Sequence, residues 1–130
     1  MRTLKILILE DDLETLSIIF KVLSQLTEIV TFIPMVFAEY TYVEKYVNNS
    51  DLKFDLILLD RDCALGGSFH VLDIERFGPE KIISISSCPP YNMDAKKRGV
   101  TKIIEKDYTN LKQFEDELFS QLTAYLTAGV

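Results

Sequence analysis

The chain has 130 residues, 48% of them hydrophobic and 26% charged, with a formal net charge of −6. That is enough apolar material for the core of one domain of ordinary size, and the acidic balance argues against a nucleic-acid partner, whose phosphates would repel it. No apolar run approaches the roughly 18 residues of a membrane span, and two cysteines, Cys63 and Cys88, are too few for a disulfide framework. The expected setting is therefore the reducing cytoplasm, with no membrane or nucleic-acid partner.

Five short apolar runs punctuate the chain. The first, Leu4–Leu9, is followed at once by the acids Glu10, Asp11 and Asp12, so it reads as a buried strand and not as a leader peptide. Leu16, Ile19, Phe20, Leu23 and Leu26 then recur at helical spacing, with Asp12 as the cap of that helix. A second strand is predicted at Phe32–Ala38. It leads to a helix opened by Thr41 and Glu44 as a capping box, on which Tyr40, Tyr42 and Tyr46 lie close together. Phe54–Leu59 is the third strand, and Ser68 is positioned to cap a helix that runs to Phe77 and stops at Gly78 and Pro79. His70, the single histidine, reads as a surface residue of that helix. Ile82–Ser86 is the fourth strand, and a short helix should end at Gly99. Thr101–Glu105 is the fifth, before a last helix whose buried stripe is Leu111, Phe114, Leu118, Leu122 and Tyr125.

Strands one, three and four are almost continuously apolar, as strands covered on both faces are. Strand–helix repeated five times predicts a doubly wound α/β fold, a parallel sheet with right-handed crossovers. In such sheets the chemistry lies beyond the carboxyl ends of the strands. Glu10 and Asp11 follow strand one, Asp60 ends strand three with Asp62 two residues on, Ser86 and Ser87 end strand four, and Lys106 follows strand five. Carboxylates gathered there repel one another unless cations offset them. Lys106 supplies one positive charge, and hard oxygen ligands in small number suit Mg2+ for the rest. A carboxylate so placed can take up a phosphoryl group, with the lysine and a hydroxyl such as that of Ser86 neutralising the phosphoryl oxygens.

These segments carry a family resemblance. ILILEDD, FDLILLD, IISISS and RGVTKIIEKD resemble the strand ends of response-regulator receiver domains, and the likeness covers essentially the whole chain. It implies a single domain, residues 1–130, with a flavodoxin-like three-layer sandwich of strand order 2-1-3-4-5. It implies Asp60 as phosphoacceptor, Ser86 and Lys106 as its catalytic companions, and an Mg2+ site made by Glu10, Asp11, Asp60 and the main-chain carbonyl of Asp62. The phosphoryl donor would be a histidine kinase or a histidine phosphotransfer protein, the output a protein effector, and a second copy of the chain a further partner. Such a domain phosphorylates and dephosphorylates itself and is not a turnover enzyme. Three positions depart from the family pattern: Asp107 stands where a proline usually follows the lysine, Ile103 where an aromatic reports phosphorylation, and Asp62 to Gly67 replace the usual apolar–proline loop.

Two rival readings follow from the same residues. The departures suit a receiver-like interaction module no longer switched by phosphorylation. LLDRD resembles the nucleophile-and-acid pair of haloacid-dehalogenase-type phosphatases, although that motif belongs on a first strand and needs another acidic pair downstream. Cys63 and Cys88 read as small buried thiols.

Overall fold

The computed structural model describes residues 2–62 and 69–128. Five strands form one parallel sheet in the order 2-1-3-4-5: β1 (Arg2–Leu9), β2 (Val30–Phe37), β3 (Leu56–Asp60), β4 (Ile82–Ser86) and β5 (Lys102–Glu105). Each differs from its predicted bounds by a few residues at most, and β4 coincides with them.

Period-two alternation divides the strands between two layers of helix. Ile6 and Ile8 of β1, with Leu56 and Leu58 of β3, face a core shared with α1 (Leu13–Ser24) and α4 (Leu111–Ala128). Leu7, Leu9, Ile57 and Leu59 face the opposite core, shared with Val43 and Val47, α2 (Ile74–Phe77) and α3 (Pro89–Lys97). Every residue of β3 and β4 is buried, which is why those runs contain almost nothing polar until their last positions.

Helix α1 begins where its cap predicts. Asp12 Oδ2 accepts hydrogen bonds from the Thr15 amide at 2.9 Å and the Thr15 hydroxyl at 2.6 Å. These bonds hold the Asp12 carboxyl below its ordinary pKa. Asp12→Ala should therefore cost about 1 kcal/mol, read as a lower urea midpoint at unchanged m-value.

The layer over Leu7 and Leu9 differs from the sequence reading in two places. The segment after β2 is a π-helix, Val43–Asn48, and its capping box is absent: the Thr41 hydroxyl donates to the Glu39 side chain at 2.8 Å. Val43 and Val47, four apart, are the residues it buries, whereas Tyr42 and Tyr46 stay exposed with rings 5.7 Å apart. The helix predicted from Ser68 to Phe77 is instead a 3-10 turn, Phe69–Val71, followed by the single-turn α2. Asp73 breaks it. Its side chain accepts from the Arg76 amide and so starts a new helix, while its own amide donates to Asn48 Oδ1 at 2.9 Å. Asn48 also donates to the Val71 carbonyl, which pins this segment to the π-helix. Ser68 and Cys63 lie outside the described residues; Cys88 is a free, half-buried thiol. Gly78 and Gly99, at φ +96° and +97°, close α2 and α3 in the left-handed region that only glycine enters without strain.

Candidate functional site

The sheet ladder continues one residue past several strands, and those added bonds place the polar side chains. The Glu10 amide donates to the Phe37 carbonyl at 3.2 Å, that of Arg61 to Ile85 at 2.9 Å, and that of Lys106 to Ser86 at 2.9 Å. Glu10, Asp60, Ser86 and Lys106 are consequently fixed at one edge of the sheet, each at most 2% exposed.

Lys106 Nζ stands 3.3 Å from Glu10 Oε1 and 3.3 Å from Asp60 Oδ1. Asp60 Oδ1 also accepts from the Asp62 amide at 3.1 Å. Glu10, Asp11 and Asp60 can each place one carboxylate oxygen within 4.8 Å of the others. Three carboxylates against one ammonium leave two negative charges uncompensated, and the environment registers the excess. Burial first, and then the hydrogen bond and charge of Glu10, push the Asp60 carboxyl far above the usual range against the pull of Lys106. Burial opposes the charge of Lys106, but Asp60 and Glu10 outweigh it and hold the amine above the ordinary lysine value.

Asp60 Oδ2 is buried and has no hydrogen-bond donor among the described residues. A buried acceptor in that condition costs about 1–3 kcal/mol. A proton shared with Glu10, or a cation, would satisfy it there. The donor set is all oxygen, compact and doubly negative, so a hard divalent cation such as Mg2+ fits it.

Three contributions were not expected from the sequence. The metal site expected from the sequence uses only the main-chain carbonyl of Asp62, yet its carboxylate turns into the site: Oδ1 accepts from the Ser86 hydroxyl at 2.7 Å and Oδ2 from the Ser87 amide at 2.7 Å, with Lys106 Nζ at 4.0 Å. Tyr108 lies over the lysine, its ring centroid 4.8 Å from Nζ. Arg61 is 1% exposed; a charged residue next to a strand end gives no sequence signal of such burial. Its guanidinium donates to Asp94 Oδ2 at 2.7 Å, to the Tyr91 carbonyl at 3.0 Å and to His70 Nδ1 at 2.8 Å. His70 is thus half-buried and accepts from Arg61, in place of the surface position expected for it. Burial and the Arg61 charge both lower its pKa. Ile103 packs on the α3 side of the sheet, and its carbonyl accepts from Gln121.

No family model matches the sequence, and no curated protein matches it. Solved structures do. The Mn2+-bound form of the response regulator Rcp1 superposes with a TM-score of 0.75 at 15% identity, over 95% of this chain and 94% of that one. A response-regulator receiver domain from Rhodospirillum rubrum gives 0.64 at 18% identity, over 92% and 94%. The response regulator TrrA from Thermotoga maritima, in complex with Mg2+ and BeF, gives 0.62 at 17% identity, over 96% and 99%. At these identities the likeness is one of fold: the chain has the CheY-like, flavodoxin-type fold of receiver domains.

Proposed function

We propose that this chain, built on the receiver fold, is a phosphorelay receiver: Asp60 accepts a phosphoryl group from a histidine kinase or a histidine phosphotransfer protein, with Mg2+, and the change is passed on by protein contact in the cytoplasm. The observation that carries the reading is Asp60 itself. It is a buried carboxylate at the end of β3 with a lysine on one oxygen and, among the described residues, no donor on the other, facing two more acids. The Mn2+ in Rcp1 and the Mg2+ and BeF in TrrA support it by analogy of fold. Among the described residues no helix is long and apolar enough to cross a membrane.

Glu10, Asp11, the Asp60 carboxylate and the Asp62 carbonyl would hold the cation, which supplies charge neutralisation to phosphoryl oxygens. An Asp60 oxygen attacks phosphorus; the phosphorus–nitrogen bond of the donor phosphohistidine breaks, and its electron pair returns to the ring. Lys106 is already aimed at the nucleophile and remains to neutralise the incoming oxygens. The Ser86 hydroxyl and the Ser87 amide are donors for a further oxygen. Positioning of this kind, more than acid–base work, is what phosphoryl transfer requires.

Intact mass after incubation with acetyl phosphate and Mg2+ tests the reading. One added phosphoryl group is expected on the native chain and none on Asp60→Asn; equal masses would refute it. One observation favours the rival, a receiver-like module no longer switched: Ser86 already donates to a carboxylate within the chain.

A further inference from the structure

We infer that the Asp62 carboxylate is an internal anion seated on the donors meant for the phosphoryl group, a plug that must leave before Asp60 can be phosphorylated at full rate. The inference rests on the receiver reading and concerns how that same site is regulated.

The geometry is that of an anion-binding site with its anion in place. One carboxylate oxygen takes the Ser86 hydroxyl and the other takes the Ser87 amide, both at 2.7 Å. The charge-assisted range for such bonds is about 2.5–2.9 Å, so neither is incidental. Lys106 at 4.0 Å and the Tyr108 hydroxyl at 3.5 Å surround Oδ2. The Asp62 side chain is 15% exposed. The Ser86 oxygen accepts from the Cys88 amide at 2.9 Å, and its own proton has two acceptors in reach, the Asp62 carboxylate at 2.7 Å and the Cys88 carbonyl at 3.2 Å; the shorter contact, to a charged oxygen, is the stronger.

Asp62 thereby holds the Ser87 amide proton and is the nearer acceptor for the Ser86 hydroxyl. The Ser86 hydroxyl has one proton and the Ser87 amide has one, and a phosphoryl oxygen competes for both. The competition is electrostatic as well as steric. A phosphoryl group brings about −1.5 to −2 charges into a site where Lys106 already faces Glu10, Asp60 and Asp62. Asp62 is two residues from Asp60 on the same chain, so its effective concentration at the seat is high and its release costs no diffusional entropy. The plug is therefore displaceable, and rotation of the Asp62 side chain toward solvent clears the seat. A kinase, by contrast, delivers its phosphoryl group into a site whose preferred anion is already bound.

The test uses the full chain and two substitutions: Asp62→Asn, which keeps shape and removes charge, and Asp62→Ala, which empties the seat. In metal-free protein the Ser87 amide proton, read by NMR, should sit downfield in the native chain and move upfield in both variants. With Mg2+ and acetyl phosphate, Asp60 attacks phosphorus and acetate leaves with the bonding pair. The initial rate of phosphoryl uptake should rise at least about tenfold in Asp62→Ala, the equivalent of one charge-assisted bond no longer to be broken, with Asp62→Asn in between. Uptake at the native rate or slower in both variants, with the amide displaced or not, overturns the plug and leaves the receiver reading standing. No uptake by any of the three chains overturns both. Circular dichroism of each variant shows whether it is folded, and should Asp62→Ala fail to fold, the rate of Asp62→Asn alone decides.

Discussion

Asp60→Asn should make the metal-free protein more stable at neutral pH, by about 1–3 kcal/mol, even as it removes the proposed phosphate acceptor. The native carboxyl is buried beside Glu10 with one oxygen lacking a donor. An asparagine amide oxygen keeps the Lys106 bond, and its NH2 group donates to Glu10 without the proton that native Asp60 must take up to do so at neutral pH. The pH dependence follows from the direction of the Asp60 shift. An unfolded aspartate ionises near pH 3.9, whereas folded Asp60 keeps its proton well above that. Over this interval the folded state binds more protons than the unfolded one, so stability falls as the pH rises. The stability that protonated Asp60 contributes is complete below about pH 4 and is lost progressively as the pH rises toward the folded pKa of about 10. His70 works in the other direction. Its folded pKa lies below the ordinary value because burial and Arg61 disfavour the imidazolium. Its contribution is present above about pH 6.5 and is lost as the pH falls.

Urea unfolding without metal, at about pH 5 and about pH 8, separates the two. Native protein should lose more stability between these values than Asp60→Asn does. Added Mg2+ should recover that loss in the native chain, most strongly at the higher pH, where the proton it displaces is held least firmly. Identical slopes for the two chains would show that Asp60 is ionised in the metal-free fold.

The second large effect concerns Arg61. Arg61→Ala should cost about 2–4 kcal/mol, because it leaves a cavity and strips the donors from His70 Nδ1 and the Tyr91 carbonyl. Arg61→Met keeps much of the buried stem and should cost less. Asp94→Asn should cost under about 1 kcal/mol, since that carboxylate is 53% exposed and water can replace its charge. A loss below about 1 kcal/mol for Arg61→Ala would mean that the guanidinium is not held as described. Arg61 follows Asp60 directly and ties the end of β3 to α3 through Tyr91 and Asp94.

Fold and site were legible in the sequence to different depths. LKILIL, LILL and IISI could only be strands covered on both faces, because no surface tolerates such runs at that length. Their spacing with helical stripes such as Ile19, Leu23 and Leu26 then implied the parallel sheet and its layers. The site's framework was legible for the same reason. A polar residue that abruptly ends a buried strand must stand at the carboxyl edge, and Glu10, Asp60, Ser86 and the lysine after β5 do.

The sequence by itself determined which backbone positions reach that edge, because strand periodicity and apolar runs are local properties of the chain. Only the tertiary structure decided where side chains point once they arrive. Asp62 aims its carboxylate at Ser86 and Ser87, donors more than twenty residues away along the chain. Arg61 is buried because Asp94, Tyr91 and His70 converge on it from two other segments. Asp73, and not Ser68, opens α2 because Asn48 receives its amide across the layer. Hydrogen bonds between segments remote in sequence leave no periodic trace, so burial of a charge, and the direction in which a carboxylate turns, are settled only when those segments meet.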